Sequence, residues 1–370
     1  MDHIPEILEI IEAGLQGDKQ RLIEYSKFLA EKLEKEDKKE LSNIIKKTLS
    51  RNLNSSNMQP KELVMPKSLV DLESNLPLAE IKHYGENEIY AILNSETSQY
   101  VEEYINLINQ KDKLLKENIL AYKTLLLYGP PGTGKSQTAK YISAKTGLPL
   151  LTFRIEGVIS SYLGSTSKNI KNLFDFVKNN PCILFLDEFD AIAKARDDPN
   201  ELGELKRVVN ALLQNIDDIR GKVPIIAATN HEKILDSAVW RRFDYKIFFD
   251  LPDIKQRETM INLFLGPTSV NPKMLEVLSY LTEDLSGADI EVISNSIKTY
   301  LTINSIDVTK EKNVFDLFIK YKYSNTQKEK IDKISLLQKA RKENKKLFDY
   351  ATIAKLLGQS VGTAFNKFNK

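Results

Sequence analysis

The chain has few of the residues that build disulfide or metal frameworks, with one cysteine and three histidines in 370 residues. Cys182 alone cannot form an internal disulfide, and its apolar neighbours indicate a buried side chain rather than a reactive thiol. The histidines lack metal-ligand spacing, which argues against a structural zinc site. They are His3, His83 and His231.

Long apolar runs and a strong net charge are also missing. No stretch approaches the roughly 18 apolar residues of a membrane span, so no membrane association is expected. The formal net charge is only +2, which argues against a protein that binds nucleic acid over its whole surface. The N-terminus, with Asp2 and Glu6 among short apolar stretches, lacks a signal-peptide pattern. We therefore expect a soluble cytoplasmic protein.

What the chain does contain is enough apolar sequence, 42% of its residues, for two or three domains. Apolar residues recur with helical spacing near the N-terminus, and apolar strands then alternate with amphipathic helices, which predicts a parallel sheet covered by helices. Helical patterns follow. The predicted segments are a helical bundle (1–52), a linker (53–66), an α/β core (67–251), a helical lid (252–325) and a C-terminal helical segment (326–370).

Two elements are predicted ahead of the first core strand. The apolar residues 89–93 indicate a short strand, and residues 97–110 have the spacing of an amphipathic helix.

A phosphate-binding loop follows the apolar strand at residues 124–128. Its glycines allow backbone N–H groups to approach phosphates, the lysine can reach the β and γ oxygens, and the serine hydroxyl can join a Mg²⁺ shell. A simple Gly/Pro turn between a strand and a helix is the alternative, but it would not require Lys-Ser at its end. The predicted nucleotide-binding residues are Gly129, Pro130, Pro131, Gly132, Thr133, Gly134, Lys135, Ser136 and Gln137.

Two adjacent acids end a second apolar strand, residues 182–186, in a pattern that resembles a Walker B motif. Asp187 would emerge beside the phosphate loop, where it can hold Mg²⁺ through water. Glu188 is then placed to act as a general base toward the attacking water. The alternative is a strand that ends in two solvated acids without function.

A third apolar strand, residues 223–228, ends in Thr229 and Asn230. With the loop and the paired acids, this order of motifs resembles the AAA family of P-loop ATPases over residues 95–305. The resemblance implies a five-stranded parallel sheet between helices, ATP as the nucleotide with Mg²⁺, and ATP hydrolysis. It also implies that Asn230 is the sensor 1 residue that positions water, and that the chain forms a homo-oligomer, by analogy a hexamer.

Residues 234–244 resemble the family's second region of homology, and the resemblance implies that Arg241 and Arg242 are arginine fingers. Such fingers reach the γ-phosphate that a neighbouring subunit binds. Only ten of the 53 basic residues are arginine, and a planar guanidinium suits phosphate better than an ammonium. Many family members separate the two fingers by two residues, whereas here they are adjacent. Their division of roles stays open, and a surface salt bridge is the alternative.

In the sensor 2 region many wider relatives have an arginine, but this chain has Gly287 and Ala288. These residues offer close backbone approach to the nucleotide instead of charge. By that resemblance, the positive charge needed in the transition state comes from Lys135 and from the fingers in trans.

Residues 158–165, which lie between the phosphate loop and the strand at 182–186, resemble the family's first pore loop. The resemblance implies that Tyr162 and Leu163, with Gly164 as a hinge, grip a polypeptide that the ring pulls through its centre. Packing of both side chains under the following helix is the alternative.

Within the family the chain looks most like bacterial ATPases paired with a subtilisin-like serine protease, which resemble a defence pair against phage. Protein substrates and a protease partner are therefore expected.

The C-terminal residues 352–364 resemble a helix-turn-helix, which suggests DNA as an alternative partner for a loader or a DNA-sensing regulator. Ala354 and Gly358 have the required spacing, and Thr363 would begin the contact helix. Lysines that could meet DNA phosphates are Lys345, Lys346, Lys367 and Lys370. A structural helical hairpin docked on the lid is the alternative.

Overall fold

A computed structural model describes residues 7, 9–10, 12, 19–35, 41–46, 79–154, 166–191, 203–266, 270–304, 310–323 and 332–369. They belong to two compact units, Met1–Glu62 and Leu63–Lys370. In the first unit, helix α1 (Lys19–Lys35) buries Leu29, Ala30 and Leu33. The whole of the predicted linker (53–66) and the predicted pore loop at 162–164 lie outside the described residues.

The second unit contains a six-stranded sheet in the order β1-β3-β4-β5-β2-β6. Strands β2 to β6 are parallel, and β1 pairs antiparallel with β3 at one edge. The predicted parallel five-stranded sheet is therefore confirmed, with one added antiparallel strand. The strands are β1 (Ala79–Lys82), β2 (Thr124–Tyr128), β3 (Leu150–Arg154), β4 (Ile183–Asp187), β5 (Ile225–Thr229) and β6 (Tyr245–Phe248).

Helices cover both faces of this sheet because successive side chains of a strand point to opposite faces. On β2, Leu125 and Leu127 pack in one core with α2 and α4, whereas Leu126 packs in another with α5 and α6. The helices of this part are α2 (Ser95–Asn109), α3 (Lys111–Lys116), α4 (Lys135–Thr146), α5 (Thr166–Asn179), α6 (Gly203–Ile219) and α7 (Ser237–Trp240). Burial on both faces explains why these strands are continuous apolar runs.

The prediction of a strand at residues 89–93 is wrong. The strand that joins the sheet is β1, ten residues earlier, where Ile81 pairs with Leu151. Residues 89–93 have no regular structure, and their main chain is held by side chains from elsewhere: Gln137 Nε2 donates to the Tyr90 carbonyl and Gln256 Nε2 to the Ile92 carbonyl. Their apolar side chains cover a cavity instead of pairing in the sheet, and that function gives the same short apolar run.

Among the described residues after the sheet there are seven helices: α8 (Ile254–Leu265), α9 (Pro272–Leu281), α10 (Gly287–Ile303), α11 (Glu311–Lys322), α12 (Lys333–Glu343), α13 (Tyr350–Leu357) and α14 (Val361–Phe368). Their buried residues form one core, from Met260 of α8 to Ala364 of α14. The predicted helical lid is thus present, and the C-terminal helices share its core. No described helix is long and apolar enough to cross a membrane.

The C-terminal residues form a helical pair that packs into this lid core. Gly358, in the left-handed conformation, ends α13, and Ser360 caps α14 by accepting a hydrogen bond from the Thr363 N–H. The prediction that Thr363 begins the second helix is therefore wrong by two residues, since the helix begins at Val361. The exposed residues of α14 include apolar Val361 and Phe365 together with Lys367.

Candidate active site

The phosphate loop connects β2 to α4 in a conformation that requires its glycines. Gly129 has a φ of 135°, and a Cβ there would lie 2.1 Å from the Phe249 carbonyl oxygen. Gly134 adopts the left-handed conformation at the position that precedes α4. The helix then begins at Lys135, so its N-terminal N–H groups face the loop, where anions bind favourably.

Lys135 is buried and bends back onto this loop. Its Nζ donates to the carbonyl oxygens of Gly129, at 2.8 Å, and Pro130, at 2.6 Å. Burial lowers the Lys135 pKa to about 8, although Asp187, Glu232 and Asp190 act in the opposite direction. The side chain is therefore held beside the loop, with a proton that is more easily lost than that of an ordinary lysine.

Ser136 and Asp187 meet at the carboxyl end of the sheet. The Ser136 hydroxyl lies 3.3 Å from the Asp187 Oδ2 atom, and Asp187 Oδ1 accepts a hydrogen bond from the Glu188 N–H. Glu188 has a φ of 54°, rare for a residue with a side chain. Mg²⁺ prefers hard oxygen ligands and keeps several waters, so one hydroxyl and one carboxylate in contact fit this ion.

Asn230 follows β5 at the same edge, and buried hydrogen bonds fix the segments that carry it and the acids. The Phe189 N–H donates to the Ala228 carbonyl at 2.8 Å, and the Thr229 hydroxyl donates to the Asp190 carboxylate at 3.2 Å. These contacts join the ends of β4 and β5, so Glu188 and Asn230 keep a defined relation to each other.

A cavity of about 430 Å³ joins these groups. The predicted residues Gly132, Thr133, Gly134, Lys135, Ser136, Gln137, Asp187, Glu188, Asn230, Gly287 and Ala288 all line it. Gly129 and Pro130 instead accept hydrogen bonds from Lys135 behind the loop. Besides Thr138 and Ala228, which lie close in the chain to predicted residues, the predictions from sequence missed a part of the lining that is distant in the chain, namely Tyr90 to Leu93, Met260, Phe264 and Glu291. Sequence position gave no signal for these residues, because they come from the segment before α2 and from the lid.

The lid contacts the phosphate loop through the start of α10. The Ala288 N–H donates to the Gly132 carbonyl oxygen at 3.1 Å, and a Cβ on Gly132 would lie 2.5 Å from the Ser286 hydroxyl. On the lid side of this contact, a Cβ on Gly287 would crowd the Gly132 carbonyl oxygen at 3.3 Å, so glycine leaves the space that the contact needs. The small residues in this region therefore allow main chain to meet main chain beside the cavity.

The two arginines lie far from this cavity. The Arg242 carbonyl accepts a hydrogen bond from the Thr124 hydroxyl, at the amino end of β2, whereas the phosphate loop follows Tyr128 at the other end. Four residues of a strand span about 13 Å. The structure therefore does not bring Arg241 and Arg242 to the nucleotide cavity of their own chain.

The environments of the two arginine side chains differ. Arg242 Nε lies 3.1 Å from both carboxylate oxygens of Asp217 on α6, and its Nη1 donates to the Ala238 carbonyl. Arg241 is exposed, and its guanidinium has no hydrogen bond or ion pair within the described part of the chain. Asp244 lies two residues after Arg242. Burial alone would raise the pKa of its carboxyl group, but hydrogen bonds from Thr124 and Arg220 outweigh burial and hold the pKa below the ordinary value.

Known proteins resemble the chain over the region that holds this site. Residues 125–251 match the family model for the ATPase family associated with various cellular activities (AAA). An uncharacterized AAA family ATPase of Sinorhizobium fredii, y4kL, is 36% identical over 279 residues, which are 72% of this chain and 81% of that protein. The ATP-dependent zinc metalloprotease FtsH 1 of Alkaliphilus metalliredigens is 32% identical over 233 residues, 61% of this chain and 40% of that protein.

The fold has a solved counterpart in the FIGL-1 AAA domain. That structure superposes with a TM-score of 0.55 at 20% identity and covers 75% of this chain and 94% of its own. The similarity to y4kL over most of its length, together with the matched family region, decides the assignment. The chain belongs to the AAA family of ATPases and is an enzyme that hydrolyses ATP.

Proposed function

We propose that the chain is a ring-forming ATPase, by family analogy a hexamer, that uses ATP to unfold or remodel proteins. The observation that carries this proposal is the separation of its own functional groups. Lys135, Asp187 and Glu188 share one cavity, whereas Arg241 lies near the amino end of β2. A site that needs an arginine opposite the γ-phosphate is then complete only when a second subunit supplies it.

Within one subunit, Lys135 leaves the loop carbonyls to pair with the β and γ phosphates, and the N-terminus of α4 faces the same oxygens. Ser136 and Asp187 would hold Mg²⁺, which supplies neutralisation of charge on the transferred phosphoryl group. Glu188 accepts a proton from the attacking water, and Asn230 orients that water. Gln137, through its contact with the Tyr90 carbonyl, connects the phosphate end of the cavity to the segment that covers it.

We assign the finger role to Arg241 and a holding role to Arg242. The bidentate pair of Arg242 with Asp217 ties the segment to α6 of its own subunit. Exposed Arg241 is then presented outward from a fixed backbone. Under this proposal the two adjacent arginines have different roles, because Arg242 pairs with Asp217 whereas Arg241 faces away from its own chain.

The remodelling activity depends on the predicted pore residues Tyr162, Leu163 and Gly164. Its support is indirect: the chain is an AAA ATPase, and the name of the Alkaliphilus relative couples ATP use to proteolysis. The expected pairing with a subtilisin-like serine protease in defence against phage rests on the family resemblance alone. A neighbouring gene for such a protease would be the first evidence for it.

We do not extend the proposal to DNA. The C-terminal helical pair contributes Ile353, Ala354 and Ala364 to the lid core, which supports the hairpin alternative. DNA contact stays a prediction, and its test is substitution of Lys345, Lys346 and Lys367 by alanine. Salt-dependent DNA binding that disappears in this triple variant would support it.

Glu188→Gln tests the catalytic assignment. The amide keeps the size of the side chain but cannot accept the proton, so we expect ATP binding to be retained and turnover to fall by about 100-fold or more. Asp175→Asn is a matched control, because it removes one carboxylate from α5, away from the cavity. Hydrolysis at the normal rate in Glu188→Gln would show that the base lies elsewhere.

A further inference from the structure

Glu291 of the lid faces the nucleotide cavity, and no motif in the sequence pointed to it. It lies on α10 four residues after Gly287, so both occupy the same face of the helix. Gly287 lies against the Gly132 main chain of the phosphate loop, and Glu291 lines the cavity beyond it. Within the described part of the chain, its carboxylate has no hydrogen bond or ion pair.

The position of Glu291 along a bound nucleotide follows from the helix. Four residues advance about 6 Å along an α-helix, so the carboxylate lies one turn from the glycine loop that faces the phosphates. In a nucleotide the ribose is bonded to the α-phosphate, so it is the next group along the molecule after the phosphates. Ile92, Met260 and Phe264 provide apolar lining at the cavity, which suits the base.

Charge supports the same placement. Carboxylate and phosphate repel each other unless a cation lies between them, so Glu291, unlike the proposed Mg²⁺ ligand Asp187, is placed more favourably beside the sugar than beside the phosphates. An ionised carboxylate only accepts hydrogen bonds, and two neighbouring hydroxyls can donate to its two oxygens. Dinucleotide-binding folds place an acid on ribose for this reason.

We propose that Glu291 accepts hydrogen bonds from the 2′ and 3′ hydroxyls of the bound nucleotide and makes the site selective for ribonucleotides. This inference rests on the proposed nucleotide cavity and adds its specificity-determining residue. Lys135 and the loop set the affinity for phosphates, and Glu291 distinguishes the sugar.

Equilibrium binding to the full chain tests the inference with ADP, 2′-deoxyADP, 3′-deoxyADP and the inosine analogue IDP. The wild type should bind ADP about 10-fold or more tightly than either deoxy nucleotide, because a hydrogen bond to a charged group is lost. Glu291→Ala should lose this preference and bind all three alike. Glu291→Gln keeps one acceptor oxygen and should recover part of the preference.

Glu276→Ala is the matched control, because it removes an exposed carboxylate from the adjacent helix α9 and does not line the cavity. It should leave every affinity unchanged. An equal loss for ADP and both deoxy nucleotides in Glu291→Ala would overturn the inference. A loss that spares only IDP would also overturn it, because the carboxylate would then contact the adenine amino group. A wild type that binds no nucleotide would overturn the proposed cavity as well.

Discussion

Lys135 is the residue whose charge state is most sensitive to its surroundings, because burial lowers its pKa to about 8. The unfolded chain binds more protons at this residue between about pH 8 and 10.5, so the cost of burying it falls as pH rises through that range. Phosphate beside the ammonium favours the charged form and raises the pKa again.

Nucleotide binding should therefore take up protons, and the uptake should grow from pH 7 to pH 9 as more of the free protein is deprotonated. Calorimetry of ADP binding in two buffers with different ionisation enthalpies measures this uptake. A binding enthalpy at pH 9 that is independent of the buffer would show that Lys135 keeps its proton without nucleotide.

The adjacent arginines should respond differently to removal. Arg241→Ala should leave the unfolding free energy within about 0.5 kcal/mol and lower the turnover number by about 1,000-fold or more. Arg242→Ala should lower the unfolding free energy by about 0.5–1 kcal/mol, because it breaks an ion pair whose Asp217 side is exposed.

Asp217→Ala provides the control for Arg242, since it removes the other half of the pair. It should reproduce both the instability and any loss of turnover seen in Arg242→Ala. If Asp217→Ala is normal while Arg242→Ala lacks activity, Arg242 contacts the phosphate itself.

Among the elements, the C-terminal helices are part of the lid rather than an appendage. Phe348 is fully buried and packs edge-on against Tyr280 of α9, with ring centroids 5.2 Å apart. Phe348→Ala should cost about 3–5 kcal/mol, seen as a lower midpoint of urea unfolding. Exposed Phe365 is the control, and its alanine variant should change the midpoint little. Equal midpoints for both variants would contradict the shared core.

Sequence predicted the elements that combine a long apolar run with a motif. Strand β4 before Asp187 and strand β5 before Asn230 were found in this way, because a strand buried on both faces is apolar throughout. Residues 89–93 were misassigned because a segment that covers a cavity has the same apolar composition as a short strand. Sequence also could not assign Arg242, since its partner Asp217 lies 25 residues away along the chain.

At the scale of the molecule, the proposed function means that each chain would hold most of one active site and supply one arginine to another. The energy of hydrolysis can then be coordinated around a ring, and the predicted pore residue Tyr162 would pass it to a polypeptide. Tyr162→Ala should abolish unfolding of a fluorescent protein substrate and keep basal ATP hydrolysis. The control variant is Tyr122→Ala, which removes a tyrosine packed against the sheet core and should not abolish unfolding of the substrate. Normal unfolding by Tyr162→Ala would reject the threading mechanism.

The central claim is that two subunits build one active site, and mixing two inactive variants tests it most directly. Arg241→Ala has an intact nucleotide cavity without a finger, whereas Lys135→Ala has a finger without a working cavity. Each alone should hydrolyse almost no ATP. We predict that the mixture recovers activity, because Lys135→Ala subunits present Arg241 to the intact cavities of their neighbours. An inactive mixture, from variants shown to assemble together, would contradict the account.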